Sequence, residues 1–134
     1  MTSLSKVEGI GEKYAAKLQA AGVTSLESLL ETGKTPQGRK RLAETVEVSE
    51  KLILEWINHA DLFRINGIGE EYSDLLEEAG VDTVVELAQR NPENLLAKMS
   101  EVNAQKNLVR RLPVLSQVQD WVDQAKKLPR VIEY

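Results

Sequence analysis

The residues best suited to chemistry in this 134-residue chain lie in two short runs. Gly9-Ile10-Gly11-Glu12-Lys13-Tyr14 is echoed fifty-eight positions later by Gly67-Ile68-Gly69-Glu70-Glu71-Tyr72. Each places a Gly-x-Gly turn directly before a helical pattern. Glycine permits the tight reversal, the intervening isoleucine plugs inward, and the next backbone N–H groups face outward at a helix N-terminus. Unpaired N–H groups and the helix dipole both favour negative charge there. The chemistry on offer is electrostatic capture of an oxyanion such as phosphate. Lys6, Lys13 and Lys17 accompany the first turn, and Arg39-Lys40-Arg41, with Lys34 nearby, forms the strongest basic run. Positive charge just after the helix start at Pro36 opposes the helix dipole mildly. A binding role is therefore weighed beside the plainer reading of a solvated face. Arg110-Arg111 is a comparable pair in the second half.

The second turn has a different charge. Glu71 and Asp74 stand where the first repeat has Lys13 and Ala16, and Glu77 and Glu78 continue the acidic side. Glu70, Glu71, Asp74, Glu77 and Glu78 read either as a solvated face or as a docking surface for a basic protein partner. The net charge of −4 is unevenly distributed. Residues 1–60 carry eight basic and eight acidic side chains, whereas 61–134 carry nine and thirteen. Any surface that holds phosphate must therefore be local, and the first half is the better place for it.

Catalysis has no visible support. His59 is the single histidine and has no companions at metal-ligand spacing, and there is no cysteine. No serine sits in a nucleophile-elbow context. The Gly-x-Gly elements lack the third glycine and preceding strand of a dinucleotide fingerprint. The expectation is a protein that is not an enzyme, with no metal, cofactor or small-molecule substrate. No apolar run approaches the roughly 20 residues that cross a bilayer. The first residues lack the pattern of a signal peptide, so a cytoplasmic location is expected.

The elements that position these residues read as all helix, because apolar residues recur at spacings of three and four. Tyr14, Leu18 and Ala21 share one face of a helix stopped at Gly22, and Gly80 stops the matching helix. Thr24 and Glu27 fit a capping box for the next short helix. Thr83 and Glu86 repeat that relation with the register slipped by one. Thr35-Pro36 and Asn91-Pro92 open a third helix in each half, as N-cap followed by proline. A fourth carries a tryptophan in an apolar stripe: Leu52, Ile53, Trp56, Ile57 and Ala60, then Leu115, Val118, Trp121, Val122 and Ala125. Within those stripes the tryptophans read as core rather than as base-stacking platforms, and recurrence of Tyr14 as Tyr72 favours packing.

The repeat predicts two units, 1–62 and 63–134, each near the lower size limit for an independent core. The second has about seven extra residues between Lys98 and Pro113, lengthening a helix or its connecting loop, and ends in a short tail. Only Asp61, Leu62 and Phe63 join the units, so a rigid pair without a linker is expected. The tail Arg130-Val131-Ile132-Glu133-Tyr134 reads as extended, either partner-binding or frayed.

With these residues in view, the chain resembles the helix-hairpin-helix superfamily. Val7-Glu8-Gly9-Ile10-Gly11 through Leu18 and Ala21-Gly22-Val23, then Val48-Ser49-Glu50, is similar to the small N-terminal domain of archaeal and eukaryotic RecA-like recombinases. The doubled form resembles a bacterial family of paired helix-hairpin-helix domains of unknown function. The resemblance covers roughly residues 4–128 and implies two all-α, SAM-domain-like helical bundles. It also implies sequence-independent binding of DNA or RNA backbone through Gly9, Gly11 and Glu12, and through Gly67, Gly69 and Glu70. Family members also serve as protein-protein modules. Two departures bear on this: Glu12 and Glu70 stand at the mouths of the turns, where such hairpins usually carry proline or a small residue.

Overall fold

The computed structural model describes residues 2–7 and 9–134. Met1 and Glu8, the latter part of the first turn's motif, lie outside the described residues. Among those residues the protein is all-α, with no strand. After a 3-10 turn at Leu4–Lys6 come α1 (Glu12–Ala20), α2 (Leu26–Gly33), α3 (Pro36–Val46) and α4 (Glu50–Leu62). They are followed by α5 (Glu70–Glu78), α6 (Val84–Ala88), α7 (Pro92–Lys106) and α8 (Leu115–Lys127). The chain divides into two compact units. One is Met1–Asp61 with Val131–Tyr134, and the other is Leu62–Arg130. The C-terminal tail, expected with the second unit, thus belongs to the first.

Helix starts follow from short polar side chains. Thr35 Oγ1 accepts from the Gly38 N–H at 3.1 Å and Asn91 Oδ1 from the Asn94 N–H at 3.0 Å, each followed by proline at the first helical position. The cap of α2 is a correction to the sequence reading. Ser25 and Ser28 form the box: Ser25 Oγ accepts from the Ser28 N–H at 3.2 Å, and Ser28 Oγ from the Ser25 N–H at 3.0 Å. Thr83 Oγ1 accepts from the Glu86 N–H at 3.3 Å in α6, fifty-eight residues later, so the register does not slip. Glu27 is drawn elsewhere. Its carboxylate accepts the Thr2 N–H at 3.0 and 3.1 Å and the Thr2 hydroxyl at 2.8 Å. An N-terminal side-chain interaction outcompeted a cap that a four-residue pattern suggested.

Both α1 and α5 stop by paired backbone bonds that satisfy otherwise orphaned carbonyls. The Val23 N–H reaches Leu18 O and the Gly22 N–H reaches Gln19 O; Val81 to Leu76 and Gly80 to Glu77 repeat the arrangement. Arg90 adds a bond to the Gly80 carbonyl at 2.8 Å. The extra length in the second unit is shared between helix and loop. α7 has 15 residues against 11 in α3, and the connection to the next helix spans 107–114 against 47–49. Asn103 holds that longer connection, bonding both the N–H and the carbonyl of Val109.

The cores form around the predicted stripes. In the first unit Ile53, Trp56, Ile57 and Ala60 are buried with Leu18, Val23, Leu29 and Val46. In the second, Val118, Trp121, Val122 and Ala125 join Leu75, Leu76, Leu87 and Met99. Trp56 and Trp121 are each 1% exposed. Replacing either by alanine is expected to cost about 3–5 kcal/mol, read as a lowered urea midpoint with little change in slope.

Glu27 carries a pH-dependent contact. Partial burial pushes its carboxyl up, but hydrogen bonds from the Thr2 N–H and hydroxyl outweigh this and hold it below its ordinary 4.5. Its contribution is therefore present above the ordinary value and fades as pH falls through the lower folded value. The Thr2 amide resonance should shift in that acid range, and Glu27→Gln should abolish the titration.

Candidate functional site

The two glycines of each turn do different work. Gly9 and Gly67 adopt φ of +93° and +102°, a conformation that L side chains rarely take. Each also lies over an indole. A Cβ built on Gly67 would meet Trp121 Nε1 at 2.9 Å, and one on Gly9 would meet Trp56 Nε1 at 3.5 Å. Tyr14 closes over Trp56 with ring centroids 5.4 Å apart and planes tilted by 54°; Tyr72 and Trp121 lie 5.1 Å apart at 55°. Tilted aromatic pairs at this separation add to burial. These rings are therefore packing partners, as their recurrence suggested. Trp56 Nε1 is buried with no hydrogen-bond partner among the described residues.

Gly11 and Gly69 are different. Their φ values of −85° and −113° suit any residue, and a Cβ on either would meet nothing within 4 Å. Each is the N-cap of the following helix, without a side-chain cap bond. Backbone geometry does not demand glycine here. What glycine supplies is clear space in front of the first turn of α1 and of α5, whose leading N–H groups have no intrahelical partner.

The surrounding side chains separate the two turns. Lys6, Glu12 and Lys13 are exposed beside the first. Lys17 is half-buried and donates to the Val46 carbonyl at 3.4 Å, placing its charge at the C-terminal end of α3, where the dipole favours it. At the second turn Glu70 and Glu71 are exposed, and Gln124 grips the backbone through the Asn66 N–H and carbonyl. The acidic set is not one open face. Asp74 and Glu77 are half-buried, and Glu78 is ion-paired with Lys106.

The basic run on α3 also divides. Lys40 and Arg41 are exposed and line a shallow cleft of about 580 Å³ with Gln37 and Glu44. Arg39 is only 7% exposed, so it does not join them. Its guanidinium donates to the Gly33 carbonyl at 3.0 Å and to the Glu133 carbonyl at 2.8 Å. Lys34 is paired with Glu31 at 2.8 Å; that hydrogen bond and charge push its ammonium pKa up, with a smaller contribution from Glu133. Sequence reasoning counted Arg39 among the binding cations because its neighbours are charged. The competing signal was its register, one turn before Leu42-Ala43 and on the buried side of α3.

The glycine assignments predict a contrast in stability. Gly67→Ala should destabilise the protein by more than 1 kcal/mol, since it combines a left-handed φ with a clash against Trp121. Gly69→Ala and Gly11→Ala should each change stability by less than about 1 kcal/mol, because lost capping preference and reduced unfolded-state freedom oppose one another. Urea unfolding of the three variants checks this.

No helix among the described residues is long and apolar enough to cross a membrane. No curated protein and no solved structure matches the chain. A family model described as a domain of unknown function, DUF4332, matches residues 8–128. That match spans both glycine turns, both tryptophan helices and nearly the whole of each unit, and the chain belongs to the DUF4332 family.

Proposed function

We propose that this protein is a non-enzymatic helix-hairpin-helix module that binds nucleic-acid backbone weakly and without sequence preference, mainly through the first unit. The observation that carries the reading is Gly11. Its backbone conformation does not require glycine, and the space before it is open. A side chain is missing where a phosphate oxygen would approach the N-terminus of α1. Exposed Lys6 and Lys13 supply long-range attraction, and Lys40 and Arg41 offer a second basic surface on α3. Gly67 and Gly69 reproduce the backbone of the turn, but Glu70 and Glu71 oppose an anion there.

Binding of this kind releases counterions, so affinity should fall steeply with salt. Fluorescence anisotropy with a labelled duplex at low ionic strength should show binding that weakens about tenfold or more when salt is raised fourfold. Gly11→Val fills the open space with a side chain that suits the extended N-cap backbone, and should reduce binding while the fold persists. Lys13→Glu should do the same by charge. Absence of salt-sensitive binding, or equal binding by both variants, removes the proposal.

A protein-interaction adaptor is the second reading, supported by the exposed pair Glu70 and Glu71 and by the acidic excess of residues 61–134. In that case a basic protein partner would be lost on Glu70→Lys with Glu71→Lys, and duplex binding would be unaffected.

A further inference from the structure

The C-terminal segment is held in a way that reads as peptide recognition. Val131–Tyr134 belongs to the first unit, although the helix before it, α8, belongs to the second. Both backbone polar groups of Glu133 are captured. Its N–H donates to the Lys34 carbonyl at 2.8 Å, and its carbonyl accepts from Arg39 Nη2 at 2.8 Å. Ile132 beside it is buried to 2% exposure, whereas the side chains of Glu133 and Tyr134 point to solvent. Main-chain bonds at one residue and a buried aliphatic side chain at its neighbour are how an extended peptide is recognised on a protein surface. The seat is the turn between α2 and α3. Arg39 spans it, holding the Gly33 carbonyl at the end of α2 with its other amino group.

The described bonds of Arg39 all go to neutral carbonyl oxygens. A buried guanidinium left without one of two acceptors is costly, so the seat favours an occupied state. Both hydrogen bonds of Glu133 are made to residues of the first unit, at Lys34 and Arg39. The three residues Leu128-Pro129-Arg130 between α8 and the segment are non-helical. An identical segment arriving from another molecule would find the same two bonds.

We infer that the α2–α3 turn is a docking site for an extended peptide with a buried aliphatic residue, filled in cis by Val131–Tyr134 and open in trans to the same segment of a second copy. Exchange of identical segments produces a reciprocal, two-fold dimer. The cis segment competes at high effective concentration, which keeps dilute protein monomeric.

Three measurements on the 134-residue chain test this. Ile132→Asp should empty the seat. A synthetic peptide spanning Leu128 to Tyr134 should then perturb amide resonances of Lys34 and Arg39, binding at least about tenfold more tightly than to the wild type. A folded Ile132→Asp protein that ignores the peptide overturns the inference. In the wild type, the Glu133 amide should exchange with solvent through a local opening, faster than the Val23 amide that stops α1. Equal protection at the two positions makes the segment a fixed part of the core and also overturns the inference, whether or not the variant folds. Light scattering should show a dimer fraction that rises with concentration. Peptide binding with no dimer at any concentration excludes the second copy as occupant.

Discussion

The packing of an indole under a glycine is the contact on which each unit's organisation depends. Trp56 comes from α4 and lies against Gly9, with the ring of Tyr14 closing from α1; Trp121, Gly67 and Tyr72 do the same with α8 and α5. One contact therefore ties the last helix, the turn and the helix that follows the turn. At Gly67 the indole stands too close for a Cβ, and at both Gly9 and Gly67 the positive φ disfavours any side chain. The same contact explains why the tyrosine recurs, since a smaller residue would leave one face of the indole uncovered. The second glycine lies outside this constraint and leaves open space before the helix.

Charge is distributed by a separate logic. Residues adjacent in sequence were sent to different environments: Arg39 inward to two carbonyls, Lys40 and Arg41 outward to a cleft. Lys17 sits against the end of α3, and Glu78 is neutralised by Lys106. A basic or acidic run along a helix is thus not a basic or acidic surface. An exposed glutamate, Glu12 or Glu70, stands at the mouth of each turn, and the exposed charge that distinguishes them is chiefly Lys13 at one and Glu71 at the other.

Much of the fold was legible because it is written in local rules. The proline-bearing helix starts at Pro36 and Pro92, the stops after Leu18 and Leu76, and both tryptophan stripes follow from period and cap chemistry within a few residues. Misreadings occurred where a distant group competed. Glu27 left its proposed cap for Thr2, twenty-five residues away in sequence. The placement of Arg39 depended on Glu133, ninety-four residues away. A left-handed residue ends both α3 and α7, at Glu47 and Asn107, and the extra residues of the second unit divided between α7 and the loop after it, where Asn103 fastens Val109.

Helix number, the proline-bearing starts, the glycine stops of α1 and α5, the paired Gly-x-Gly turns and the burial of Trp56 and Trp121 could be read from residue order, since each rests on interactions spanning one or two helical turns. Tertiary structure decided which glycine is needed for packing and which leaves open space, because that depends on where an indole from a later helix comes to rest. It likewise decided that the C-terminal residues close over the first unit, and that Arg39 serves them instead of the surface. Those outcomes turn on desolvation and on hydrogen bonds between segments far apart in sequence, and no local pattern encodes them.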